Sequence, residues 1–232
     1  QTLEHVSSAR SMLELSYALL NKHGLMYLEV PNIDIIGDPR GVEEFFIDKH
    51  AFHFDKHTLV SLAKGCGFSL QKEFAPDTYN IKILFAKGVP SSPPISCSSR
   101  SMDYLLASYP RILEANRRLL RDLVESRLRP LARRQKVAYW GANRIFDALV
   151  KYGGLKCEDV FMLVDTYMAG KLDNSHGVTI EHPDYIRAKE PQVCVVLARS
   201  SEDSVSSLAY EMGVRHVLKY TELFDQLATR SS

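Results

Sequence analysis

No stretch of this sequence approaches the ~20 consecutive apolar residues that a membrane-spanning helix requires. Its first residues also lack the basic segment, apolar run and small-residue cleavage site of a secretory signal. The expectation is a soluble, cytoplasmic protein that does not engage a membrane. An excess of one charge is missing too: 29 Lys and Arg face 28 Asp and Glu, for a formal net charge of +1. Global electrostatics therefore gives no reason to expect nucleic acid as a partner. Four cysteines, Cys66, Cys97, Cys157 and Cys194, are widely scattered and form no CxxC pair, so neither a disulfide framework nor a cysteine-based zinc cluster is expected. P-loop, GxSxG and HExxH patterns are all absent.

What remains is ordinary globular material: 232 residues, 45% hydrophobic and 25% charged, enough for one large domain or two small ones. Residues 7–22 place Met12, Leu15, Leu19 and Leu20 at helical spacing, with Ser7 or Ser8 as N-cap and Gly24 as the stop. LMYLEV, residues 25–30, reads as a largely buried parallel strand that ends at Pro31-Asn32. A long loop from Asn32 to His57 leads into a short helix, KHTLVSLAKGCGF, and then to FSLQKEF and YNIKILFAK, which read as a β-hairpin at a sheet edge. Pro, Ser and Gly dominate residues 88–101, which mark a linker. A long helical segment follows, with Pro110 expected to start a new helix or kink the existing one. Nine basic residues against three acidic ones between Arg111 and Lys136 read as the solvated face of an amphipathic helix. Its apolar stripe is Ile112, Leu119, Leu120, Leu123 and Val124.

From residue 136 strands and helices alternate: KVAYWGA, NRIFDALVKYG, DVFMLVD, PQVCVVLA, SSEDSVSSLAYEMG and RHVLKY. That alternation points to a small parallel sheet covered by helices. A strand ending at Gly141 opens a helix, and a second strand ends at Asp165, 24 residues later. The glycines that close approach of a dinucleotide requires are replaced by Asn143 and Phe146, so NAD or FAD is not expected. Gly141, Asn143, Arg144, Asp165 and Lys171 are the candidate contacts for a phosphorylated ligand or nucleotide sugar at the carboxyl ends of the strands. On these residues alone the chain can be read as a non-catalytic binding module for such a ligand.

Three of the eight histidines cluster in IDKHAFHFDKH, as His50, His53 and His57. Spacings of three and four suit metal ligands on one helical face. The interleaved Phe46, Ile47, Phe52 and Phe54 argue instead for a loop with no metal, in which a histidine either serves as a general base in an aromatic-lined cleft, with His53 a candidate on its substrate side, or is simply packed or solvent-facing.

LEHV followed by a helix, then GLMYLEVPN, KHAFHFDKHTLVSLAKGCGF and two final strands resembles the second half of a class I S-adenosylmethionine-dependent methyltransferase. KVAYWGAN, LVDTYMAGK and HGVTIEHPDYI resemble the C-terminal domain of sugar C-methyltransferases, which act on nucleotide-linked deoxysugars. The resemblance implies an α/β fold. A partial Rossmann-like methyltransferase sheet would occupy residues 1–89, a linker and connecting helix 90–135, and a small Rossmann-like parallel-sheet domain 136–232. It implies S-adenosylmethionine as cofactor and a small-molecule acceptor, with a missing N-terminal region or a partner subunit supplying most of the donor site. In that family the segment matching residues 46–57 carries a Tyr and a Glu-His pair beside the sugar, with the His and Tyr serving in proton abstraction. His50 matches the His, Lys49 stands in the Glu position and Ile47 in the Tyr position. Glu4 and His5 fall beside the methyl donor, and Pro31 and Asn32 on the acceptor side.

Overall fold

A computed structural model of the chain describes residues 2–37, 41–43, 45–46, 49–74, 80–88 and 102–228. The chain forms two compact units, one of residues 1–38 and 45–110, the other of 39–44 and 111–232. Apart from Gly88, the Pro- and Ser-rich stretch 88–101 lies outside the described residues.

The first unit opens with helix α1, Ala9–Leu19, whose N-cap Ser8 accepts a hydrogen bond from Ser11 N. Its buried face is Ala9 and Leu13, with Met12, Tyr17 and Leu20 packed partly against the same cluster. Leu15 and Leu19, expected in that stripe, are 56% and 77% exposed. The helix is rotated because Ala9 and Leu13, four residues apart, meet Leu59 and Ala63 of the next helix in one core. Strand β1, Leu25–Pro31, follows. Helix α2, Lys56–Gly65, begins at a capping box in which Thr58 N donates to Asp55 Oδ1 at 2.6 Å and Asp55 N donates to Thr58 Oγ1 at 3.1 Å. Strands β2, Phe68–Glu73, and β3, Asn80–Lys87, form the expected hairpin.

The sheet order is β1-β3-β2, and β3 runs antiparallel to both neighbours. The parallel, largely buried strand expected at residues 25–30 is therefore a correction: β1 pairs antiparallel with β3, and only Val30 in it is fully buried. The physical reason lies in β3, whose alternation turns Ile81, Ile83 and Phe85 into the core while its backbone pairs with all of β1.

Helix α3, Met102–Leu123, continues through Pro110, so no new helix starts there. The helical ladder changes instead at Val124–Leu128, a π turn that leads into the short helix α4, Arg129–Ala132. One extra residue in that turn keeps Leu123, Val124 and Leu128 all on the buried side, at 0% exposure.

The sheet of the second unit contains β4 (Val137–Trp140), β5 (Met162–Val164), β6 (Asn174–Ser175), β7 (Val178–Glu181), β8 (Val193–Val196) and β9 (His216–Lys219). Helices α5 (Arg144–Lys151), α6 (Tyr185–Lys189), α7 (Glu202–Glu211) and α8 (Tyr220–Ala228) accompany it. The strand order is β6-β7-β5-β4-β8-β9, parallel throughout except for the antiparallel pair β6–β7. Every residue of β4, β5 and β8 is buried, as a sheet covered on both faces demands. Tyr139, Leu163 and Val195 face the layer of Phe146, Leu149, Leu120 and Phe224, while Ala138, Trp140, Val164 and Val196 face Ile186 and Ala209. This is a mixed α/β fold with a mostly parallel six-stranded sheet. Among the described residues, no helix is long and apolar enough to cross a membrane.

Candidate functional site

The two segments of the first unit with the most chemistry are held together by backbone bonds. Ala51 N donates to Glu4 O at 2.8 Å and Phe52 N to the same oxygen at 3.3 Å. His5 Nδ1 donates to Lys49 O at 2.8 Å, because a carbonyl can only accept. His50 thus lies between two residues, 49 and 51, that are both tied to the 4–5 turn. A parallel bridge between Asn32 and Phe54, with Ile33 N donating to Phe54 O at 2.9 Å, anchors the far end of the same loop.

The side chains converge accordingly. The His5 and His50 rings meet edge to face, with centroids 4.8 Å apart, and His50 and His53 lie at 6.0 Å. One ligand atom each from Glu4, His5 and His50 falls within 4.8 Å of the other two. Phe46 packs on His53 at 4.8 Å and on Tyr109 at 4.8 Å, and the Tyr109 hydroxyl accepts from Phe45 N at 3.0 Å. Burial, helped by the nearby His50, lowers the His53 pKa below its ordinary value. His53 Nε2 is buried without a hydrogen-bond partner, as are both ring nitrogens of His57.

Glu4 is the unusual member. It is 1% exposed, and neither carboxylate oxygen has a hydrogen-bond partner. His5 Nε2 lies 3.6 Å from its Oε1. A buried carboxylate without donors is costly, so a cation or hydrogen-bond donor placed beside it would be stabilised. Pro31 ends β1 opposite Asn80, and Asn32 Oδ1 accepts from Asp34 N at 3.1 Å, which turns the chain toward the loop that carries His53.

Of the candidates of the second unit, Gly141, Asn143 and Asp165 lie at the carboxyl ends of its strands. β4 has β5 on one side and β8 on the other, so the chain reverses direction across the sheet at the β4/β8 fork, where open α/β sheets place ligands. Gly141, with φ of +127°, makes the turn there; a Cβ would stand 3.0 Å from Asn143 Nδ2 and 3.3 Å from Leu197 Cβ. Asn143 bridges the fork. Its Oδ1 accepts from Ile145 N at 2.9 Å and Phe146 N at 3.3 Å, and its Nδ2 donates to Leu197 O at 3.0 Å. Asp165 is likewise engaged by backbone: Oδ2 accepts from Ala142 N, and Oδ1 from Tyr167 N and Met168 N, at 2.8–2.9 Å. Arg144 and Lys171 are exposed nearby in sequence. Residues 41–43 add to this unit: Val42 is 2% exposed in its core, Gly41 O accepts from Asn116 Nδ2, and Glu43 forms a two-pronged ion pair with Arg199 at 2.7 and 3.2 Å.

Proximity in sequence suggested a set of His50, His53 and His57, whereas proximity in space selects Glu4, His5 and His50. The orphaned state of Glu4 has no sequence signal; its burial follows from the 4–51 backbone pairing, a contact across 47 positions. No protein-family model matches this chain, and no curated protein matches it.

Proposed function

We propose that this chain carries the acceptor side of an S-adenosylmethionine-dependent methyltransferase, with a nucleotide-linked sugar as acceptor and a Rossmann-like second domain. The observation that carries the reading is the convergence of Glu4 and His5 with His50. These residues are assigned to the donor and acceptor sides of one cleft on the strength of a sequence resemblance, and His50 lies 45 positions from His5 and 46 from Glu4. The element order of the first unit, helix, strand, loop, helix and two strands, supports it as well.

Methyl transfer asks for close in-line placement of donor and acceptor, and for a base where a carbon must lose a proton. His50 is that base. The family pattern puts a Glu directly before the His, and this chain has Lys49 there; Glu4 supplies a carboxylate to the same cluster from another segment. A buried anion beside the ring favours the imidazolium that forms on proton abstraction. The orphaned Glu4 oxygens also fit the ammonium and sulfonium charges of S-adenosylmethionine. When bound, that cofactor supplies the methyl group; Glu4 and His5 hold its charged end, and Phe45, Phe46 and Tyr109 exclude water from the acceptor side.

The test is calorimetry of the longest expressible form with S-adenosylmethionine and with a nucleotide-linked deoxysugar, followed by product mass spectrometry with both present. Methyl transfer that falls roughly 10²- to 10⁴-fold in His50→Ala is the expected result. Sugar-nucleotide binding without donor binding or transfer would overturn it in favour of a non-catalytic binding module. Full transfer by His50→Ala would remove the base assignment and leave the reaction class.

A further inference from the structure

We infer that Glu4, His5 and His50 form a binding site for a divalent metal ion of the zinc class. The inference goes beyond methyl transfer and stands on the geometry of the cluster alone. Three features carry it.

The first is spacing. Ligand atoms on a tetrahedral zinc, with bonds of about 2.1 Å, lie about 3.4 Å from one another. Glu4 Oε1 and His5 Nε2 are already 3.6 Å apart, and all three donor atoms lie within 4.8 Å, so closure onto an ion needs shifts on the order of 1 Å.

The second is the state of the donors. Lys49 O holds the proton of His5 on Nδ1, so in the neutral ring the Nε2 lone pair faces Glu4 Oε1. Two acceptors opposed at that distance, one of them a carboxylate buried to 1% exposure with no hydrogen-bond partner, call for a cation between them. A metal-bound histidine whose other nitrogen donates to a backbone carbonyl is the ordinary arrangement around zinc, because that bond fixes the tautomer and aims the ring.

The third is rigidity. The bonds from Ala51 N and Phe52 N to Glu4 O, and from His5 Nδ1 to Lys49 O, fix the backbone on both sides of His50 before any ion arrives. Three protein ligands leave a fourth position for water or a small molecule, the pattern of an open rather than a purely structural site. An ion held there takes a His50 lone pair and the Glu4 carboxylate, so zinc opposes the proton abstraction proposed above.

The experiment is zinc chloride titration of the intact, chelator-treated protein in competition with a chromogenic chelator, with cobalt substitution as a spectroscopic check. One zinc per chain is expected, with intense visible absorption in the cobalt form. His5→Ala, Glu4→Gln and His50→Ala should each weaken affinity at least tenfold. Cys157→Ser, which removes an exposed thiol elsewhere, should not. His5 is 44% exposed, so His5→Ala keeps the fold and decides the matter even if Glu4→Gln unfolds. No zinc uptake, as when a proton alone sits between Glu4 and His5, overturns the inference, and so does uptake unaffected by His5→Ala. Neither donor nor acceptor molecule is present in this titration, so its failure leaves the methyltransferase reading standing, and the reverse holds.

Discussion

Asn143 has two structural duties that substitution can separate. As N-cap of α5 its Oδ1 accepts from two backbone amides, and as a bridge its Nδ2 donates to Leu197 O across the β4/β8 fork. Asn143→Ala removes both. Loss of the cap costs about 1 kcal/mol, and loss of the bridging bond about 1 kcal/mol more. Leu197 O keeps a second donor, Arg199 N at 3.0 Å, so no buried carbonyl is orphaned and the total stays near 2 kcal/mol. Asn143→Ser preserves the cap and loses only the bridge, for about 1 kcal/mol. In a unit of this size each kcal/mol lowers Tm by about 4 °C. The expected shifts are then about 8 °C for Ala and about 4 °C for Ser. Differential scanning calorimetry reads them, and hydrogen exchange of the α5 amides assigns them to the second unit. Equal shifts for Ala and Ser would refute the bridge. No shift in either, together with loss of sugar-nucleotide binding, would make Asn143 a ligand group after all.

Leu13→Ala should destabilise the first unit by about 2–5 kcal/mol, while Leu19→Ala stays within about 0.5 kcal/mol, because Leu13 is 1% and Leu19 77% exposed; denaturant titration separates them, and equal effects would place the wrong face of α1 in the core. His53 has a lowered folded pKa, so below the unfolded value of about 6.5 the unfolded chain binds more protons and stability falls as pH drops. Melting temperatures at about pH 7.5 and about pH 5.5 should differ less in His53→Gln than in the parent, and an unchanged difference would count against it. Burial pushes the Cys194 thiol up to about 12 and raises that of Cys66, whereas Cys157 is exposed. Iodoacetamide at about pH 8 should therefore label Cys157 and spare Cys66 and Cys194 in peptide maps; rapid labelling of Cys194 in the folded protein would contradict its burial.

The sequence signals that succeeded were local. The strand-helix alternation after residue 136 carries the parallel sheet because each apolar run, VAYW or VCVV, must be covered on both faces. Where they failed, a distant partner decided. The run at residues 25–30 looks as apolar as those strands, but β3 claims its backbone from the opposite direction and leaves Leu25 and Tyr27 exposed. Pro110 carries the strongest local signal for a break, yet α3 continues and the irregularity falls where three buried side chains must stay in phase. The pair β6–β7 and helix α6 went unread because NS and VTIE offer no continuous buried apolar run like VAYW or VCVV, and α6 has only five residues. The Glu4–His5–His50 cluster was legible as three separate residues, never as one site.

The short visit of residues 41–43 to the second unit decides how this protein can be dissected. Expressing 111–232 alone deletes Val42 from a filled core, takes Glu43 from Arg199 and strips the carbonyl that Asn116 Nδ2 reaches. A truncation chosen from the linear order of the chain thus yields a piece with a hole in it. An intact second module requires supplying the 41–43 peptide in trans or grafting it by circular permutation.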